Sequence, residues 1–131
     1  MLRPMRRLLF APLVLVFLVF TAFMLPALAD SAVKNHRGQV VCSGCWDEEP
    51  DRKKTPYGTP ADLECALQCQ KRGIAAALAV EEGSSVTLYE LGPGAFRPKS
   101  WLPYMGQNVI VRGRVEAGKK PRILVDAVKA R

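Results

Sequence analysis

Four cysteines are the residues of this sequence most able to do chemistry. Cys42 and Cys45 form a Cys-Ser-Gly-Cys motif, Cys65 and Cys69 form a Cys-Ala-Leu-Gln-Cys motif, and the chain holds four cysteines in all. Two close pairs of thiols on a short stretch either surround one metal ion or form disulfide bonds. The spacing predicts that the four sulfur atoms meet as a single unit. The function depends on whether that unit is a binding site or a structural crosslink.

A helix is predicted to carry the second pair. Thr59 suits the N-cap, Pro60 suits the first helical position, and Gly73 can end the helix in a left-handed conformation. At this spacing the Cβ atoms of Cys65 and Cys69 are about 5–6 Å apart. A disulfide needs a Cβ separation of roughly 3.5–4.5 Å, so a bond between these two residues is excluded.

Two arrangements of the sulfur atoms remain, and both stay open. Cys65 and Cys69 bond Cys42 and Cys45 in two disulfides, or all four residues are ligands of one metal ion. Zinc is the leading candidate for a tetrahedral all-sulfur site, and copper(I) is the alternative because it also prefers thiolates. A third interpretation is a redox-active Cys42/Cys45 pair, although the sequence lacks the βαβ pattern of thioredoxin-like proteins.

The two faces of the predicted helix differ in chemistry. At 100° per residue, Cys65 and Cys69 lie roughly 200° and 240° round the helix from Leu63, whereas Leu67 lies only about 40° away. We therefore expect the leucine face to pack on the rest of the domain and the cysteine face to meet the preceding loop. Trp46 and Leu63 are the predicted neighbours of the sulfur unit.

The rest of the pattern predicts five strands. They span residues 38–42, 74–80, 86–91, 109–115 and 122–128, with a helical turn near 101–105 and a charged loop over 43–59. In the fourth strand apolar and polar residues alternate with a period of two, which places Arg112 and Arg114 on the outside. Gly113 interrupts that strand and indicates a bulge.

The order of these elements is that of an OB-fold barrel. Residues 106–116 followed by 122–128 resemble the closing hairpin of many OB-folds, and residues 38–41 resemble the opening strand. We therefore predict a mainly β fold, a five-stranded OB-like barrel with a cysteine-bearing helical insertion, residues 43–73, between strands 1 and 2.

In more detail, the chain is similar to small exported bacterial OB-like proteins that have a cysteine at the end of the first strand and a Cys-x-x-x-Cys helix after it. Many of them have a histidine three residues before the first helical cysteine. Here that position is Asp62, and Cys45 is present instead. If the family site binds a metal, the resemblance implies that this chain has exchanged one ligand for another.

Residues 1–29 have the pattern of a secretory signal. Arg3, Arg6 and Arg7 precede an apolar run over residues 8–25, and Ala27-Leu28-Ala29 fits a signal-peptidase site. If the run is retained, it is long enough to anchor the chain in a membrane. Residues 30–36 are then a flexible leader and residues 37–131 the domain. Export to the periplasm or beyond the cell favours disulfides over a metal.

The remaining residues favour a binding domain over an enzyme, because the sequence shows no obvious paired acids or His-centred catalytic set. The formal net charge is +7, and removal of the three arginines of the predicted signal leaves 7 − 3 = +4. This modest basic excess favours solubility and weak attraction to anionic surfaces without defining a partner. OB-folds often bind single-stranded nucleic acid, but export argues against that partner and favours a cell-envelope protein. His36 is the single histidine of the chain. It is predicted to lie exposed in the leader, so no hydrolytic machinery is visible.

Overall fold

The computed structural model describes residues 32–49 and 56–131, so the predicted signal segment lies outside the described residues. In the described ranges there are five strands, β1–β5, two helices, α1 and α2, and one 3₁₀ turn. Their bounds are β1 Lys34–Cys42, α1 Ser43–Asp47, α2 Pro60–Lys71, β2 Ala76–Glu82, β3 Ser85–Pro93, the 3₁₀ turn Leu102–Tyr104, β4 Asn108–Glu116 and β5 Arg122–Ala130. Neither helix has the length and apolar character needed to cross a membrane.

The five strands form a closed barrel. Their order is β1-β2-β3-β5-β4, and β4 pairs back onto β1. The β3–β5 pair is parallel, and the other four pairs are antiparallel. The fold is a five-stranded OB-like barrel with its helical insertion between β1 and β2, as the sequence pattern predicts.

The register of β4 follows the predicted alternation. Val109 and Val111 are fully buried, whereas Arg112 and Arg114 are exposed. The pairing with β5 shifts between Arg112 and Gly113, which is the predicted bulge. A Cβ atom at Gly113 would collide with the carbonyl oxygen of Leu124, so the close approach of the two strands requires glycine here.

The end of β1 is covered on both faces. Successive side chains of a strand point to opposite sides, and yet Val40, Val41 and Cys42 are all at most 1% exposed. One face points into the barrel, where Val40 pairs with Leu78 of β2. Both α1 and α2 contact β1. The insertion therefore packs directly on the strand that ends at the first cysteine.

Two predicted boundaries are wrong. β1 begins at Lys34, so residues 34–36 of the predicted leader are strand and pair with β4. The predicted loop over 43–59 begins with helix α1. Helix α1 has five residues and is too short to show a recognisable apolar period. The residues that extend β1 at its start are polar, so they gave no apolar pattern that would predict a strand.

Candidate functional site

The insertion brings the four cysteines together at the end of β1. Cys42 is the last residue of β1, Cys45 lies in α1, and Cys65 and Cys69 lie in α2. The backbone continues from β1 directly into α1, so Cys42 and Cys45 sit on either side of the strand–helix junction. We call the Sγ atoms of these four residues the sulfur cluster.

The start of α2 is fixed by a capping box. The hydroxyl of Thr59 accepts a hydrogen bond from the Asp62 N–H at 3.2 Å, and the Asp62 carboxylate accepts one from the Thr59 N–H at 3.1 Å. Pro60 begins the helix, and Gly73 follows its end with φ of +78°. Both ends agree with the sequence prediction. The side chain of Asp62 is therefore part of the N-terminal cap of α2.

One disulfide is present in the sulfur cluster. It joins Cys45 to Cys65, while Cys42 and Cys69 are thiols. The bond between Cys65 and Cys69 that helix geometry excludes is not formed. Cys45 pairs with α2 rather than with Cys42, so the predicted Cys42/Cys45 redox pair is wrong for this state of the protein. Of the two predicted disulfides, one has formed.

The four sulfur atoms converge. The Sγ atoms of Cys45 and Cys69 are 3.7 Å apart, and those of Cys42, Cys45 and Cys69 all lie within 4.8 Å of one another. The fourth sulfur, on Cys65, is bonded to Cys45. Within residues 32–49 and 56–131, Cys42, Cys45 and Cys69 form the one group of potential metal ligands that lies this close together.

Cys65 is the most exposed member of the sulfur cluster. Cys42, Cys45 and Cys69 are 1%, 4% and 5% exposed, whereas Cys65 is partly exposed. Burial raises the pKa of the Cys69 thiol, and a hydrogen bond with Cys42 raises it further. Cys42 and Cys69 are thus two buried thiols whose Sγ atoms lie within 4.8 Å of each other.

Tyr57 anchors the backbone beside the cluster. Its hydroxyl accepts a hydrogen bond from the backbone N–H of Cys42 at 3.0 Å and points its own hydrogen at the Sδ of Met105, 4.0 Å away. Its carbonyl accepts a hydrogen bond from the Gln39 side chain at 2.8 Å. Sequence reasoning missed Tyr57. Its aromatic type within a polar, charged stretch was the available signal, because such a residue often marks a buried anchor.

Gly44 brings α1 close to α2. A Cβ atom added to Gly44 would lie 3.7 Å from the Sγ of Cys69 and 3.5 Å from the side chain of Ile74. Any side chain longer than a methyl group would therefore have to push these neighbours away. An alanine would make ordinary van der Waals contacts here, so the position is restricted to small residues.

The cysteine face of α2 meets the segment that carries Cys45, as predicted, but the predicted burial of the leucine face is wrong. Leu63 and Leu67 are 40% and 37% exposed, whereas Ala66 is fully buried and Cys69 nearly so. The cysteine face packs inward and the leucine face points to solvent. The prediction assumed that the larger apolar side chains, the leucines, would be the buried ones. The disulfide joins the cysteine face to α1, and the buried positions of the helix hold the small residues Ala66 and Cys69.

The other predicted neighbours of the site have mixed outcomes. Leu63 lies on the exposed face, so it does not enclose the cluster. Trp46 packs against the buried core, and its ring centroid is 6.3 Å from that of Tyr57. His36 lies in β1 rather than in a leader, half-buried, with its ring 6.1 Å from that of Tyr89.

Comparison of the chain with protein-family models, with curated proteins and with solved structures gives no match.

Proposed function

We propose that this protein is a small exported binding domain whose sulfur cluster holds a thiophilic metal ion, with zinc as the first candidate and copper(I) as the alternative. The ligands are Cys42, Cys45, Cys65 and Cys69. The observation that supports this proposal most directly is the convergence of buried sulfur atoms, three of them within 4.8 Å of one another.

The spacing suits a zinc ion. Zinc–sulfur bonds are about 2.3 Å long, so two thiolates of a tetrahedral site are about 3.8 Å apart. The Sγ atoms of Cys45 and Cys69 are 3.7 Å apart. Soft thiolate ligands, three of them on buried residues, also suit copper(I).

Metal binding requires reduction of the Cys45–Cys65 disulfide, because the ligand is a thiolate and a bonded sulfur is not one. Reduction supplies two more thiols beside Cys42 and Cys69. The proposal therefore concerns the reduced protein, whereas the described state contains the Cys45–Cys65 disulfide.

The test is a titration of the reduced protein with zinc under anaerobic conditions, in competition with a chromophoric chelator. We expect one equivalent to bind, and Cys42→Ser and Cys69→Ser each to weaken binding by orders of magnitude. Leu67→Ser is the matched control, because it alters the same helix on its exposed face. A parallel titration with copper(I) and a copper(I) chelator identifies the preferred ion.

The proposal fails if the reduced wild-type protein binds both ions no more tightly than the Cys42→Ser/Cys69→Ser double variant. Circular dichroism of each variant shows whether it has kept its fold.

A second function is favoured by the disulfide itself. The Cys45–Cys65 bond ties α1 to α2, and a disulfide fits the oxidising compartment implied by the predicted signal segment. On this alternative the domain is stabilised by disulfides and binds a partner protein of the cell envelope through another surface. Intact mass separates the two functions. A metal adds its mass under native conditions only, whereas disulfides lower the mass of both the native and the denatured protein.

A further inference from the structure

A free thiol lies directly beside the disulfide of the sulfur cluster. The Sγ of Cys69 is 3.7 Å from the Sγ of Cys45. Cys45 is bonded to Cys65, and Cys69 is reduced. A thiolate breaks a disulfide by attacking one of its two sulfur atoms, and the rate depends on access to that atom. Cys69 already contacts the sulfur that it would attack.

We propose that this contact supports an internal thiol–disulfide exchange, which moves the disulfide from Cys45–Cys65 to Cys42–Cys69. In the first step Cys69 loses its proton and its thiolate attacks the Sγ of Cys45. The Cys45–Cys69 bond forms, the Cys45–Cys65 bond breaks, and Cys65 leaves as a thiolate that takes up a proton.

In the second step Cys42 loses its proton and attacks the Sγ of Cys69. The Cys42–Cys69 bond forms, and Cys45 leaves with the electron pair and takes up a proton. Cys42 is placed for this step, because its Sγ lies within 4.8 Å of the Sγ atoms of Cys45 and Cys69. One disulfide and two thiols exist before and after the exchange, so no external oxidant or reductant is consumed.

The exchange changes which thiols a second molecule can reach. Before it, the thiols are Cys42 and Cys69, both buried. After it, they are Cys45 and Cys65, and Cys65 is the partly exposed member of the cluster. The exchange therefore replaces two buried thiols with a pair that includes the partly exposed thiol of Cys65.

The substrate class that fits an exposed thiol with a second thiol behind it is a disulfide on another molecule. The Cys65 thiolate attacks that disulfide, forms a mixed disulfide and releases one substrate thiol. Cys45 then attacks the Cys65 sulfur and releases the second thiol. The protein ends with two disulfides and the substrate with two thiols, so two electrons pass from protein to substrate.

This activity goes beyond metal binding and does not depend on it. It operates in the metal-free protein with one disulfide, whereas metal binding needs all four thiols. Failure of the exchange leaves the metal titration unaffected, and failure of the titration leaves the exchange unaffected.

The exchange is tested by alkylation of the folded, metal-free protein that contains the single disulfide. Iodoacetamide is added under native conditions, and the labelled cysteines are identified by tandem mass spectrometry, because Cys65 and Cys69 lie on one tryptic peptide, residues 55–71. We expect Cys65 to be labelled before Cys42 or Cys69, at a rate independent of protein concentration.

Two variants isolate the two steps. Cys69→Ala removes the attacking thiol and keeps the Cys45–Cys65 disulfide, so labelling of Cys65 slows by an order of magnitude or more. Cys42→Ala allows the first step only, so Cys65 is labelled while Cys45 and Cys69 are recovered as a disulfide. The proposal is overturned if Cys65 of the wild-type protein is labelled only after denaturation, or if Cys69→Ala labels as fast as wild type.

The substrate step is tested with oxidised glutathione as the disulfide. We expect a glutathione adduct on Cys65, followed by a protein with two disulfides, Cys45–Cys65 and Cys42–Cys69. A first adduct on Cys42 or Cys69, or the absence of a second disulfide, contradicts the step.

Discussion

The β4–β5 hairpin and the cysteine-bearing insertion are held in place by different interactions. In the hairpin, large aliphatic side chains such as Val111, Ile123 and Val125 are fully buried and charged residues point outward. In α2 the leucines face solvent, and alanine and cysteine face the interior. The position of the hairpin is set by apolar burial. The position of the insertion is set by a covalent sulfur bond, a few small buried residues and the buried anchor Tyr57.

This difference predicts how each region responds to reducing conditions. Burial of aliphatic side chains is insensitive to redox conditions and scales with the area removed from water. A disulfide holds its segments only while it is oxidised, and it acts by limiting the freedom of the unfolded chain. The barrel should therefore tolerate reduction, whereas the attachment of the insertion should weaken.

The largest effect is expected from the barrel core. Ile123→Ala should lower the free energy of unfolding by about 2–5 kcal/mol, because it leaves a cavity at a fully buried site. Urea denaturation measures the loss, and the loss should be the same with and without a reductant. Leu124→Ala is the control, since Leu124 is only half-buried. Equal losses in the two variants would show that the strand register is wrong.

The next effect tests the covalent attachment. Cys45→Ala removes the disulfide to Cys65 without burying a hydroxyl group, and it should lower the free energy of unfolding of the oxidised protein by about 2–4 kcal/mol. A reductant should lower the stability of the wild-type protein by a similar amount and leave Cys45→Ala unchanged. If a reductant destabilised the wild-type protein and Cys45→Ala equally, the lost stability would not come from the Cys45–Cys65 disulfide.

A smaller effect tests the hydrogen bond that joins the insertion to β1. Tyr57→Phe removes the hydroxyl that accepts from the Cys42 N–H and leaves a buried donor unpaired, so it should cost about 1–3 kcal/mol. Thermal and urea unfolding measure the cost. Tyr104→Phe is the control, because the Tyr104 ring packs on Phe96 and Trp101 and keeps that packing. If Tyr57→Phe lost no more stability than Tyr104→Phe, the Tyr57 hydroxyl would not anchor the insertion.

The sequence predicted the barrel better than the site, for a physical reason. Alternation along β4 and the cap at Thr59 are local patterns, and each follows from a few neighbouring residues. The meeting of the four cysteines also followed from spacing. The pairing of Cys45 with Cys65 did not, because several pairings satisfy the same spacing. The rotation of α2 depends on that pairing, so the leucine side was predicted to be buried when it is exposed.

The smallest effect tests that rotation. Leu67→Gln should change the free energy of unfolding by no more than about 0.5 kcal/mol, because Leu67 is 37% exposed and the substitution keeps a good helix former. Ala66→Leu is the matched change at the neighbouring position. It should cost about 1–3 kcal/mol by overpacking a site with no exposed surface. If the two results were exchanged, the leucine face would be the buried one, and the contact of Cys69 with the disulfide would no longer follow.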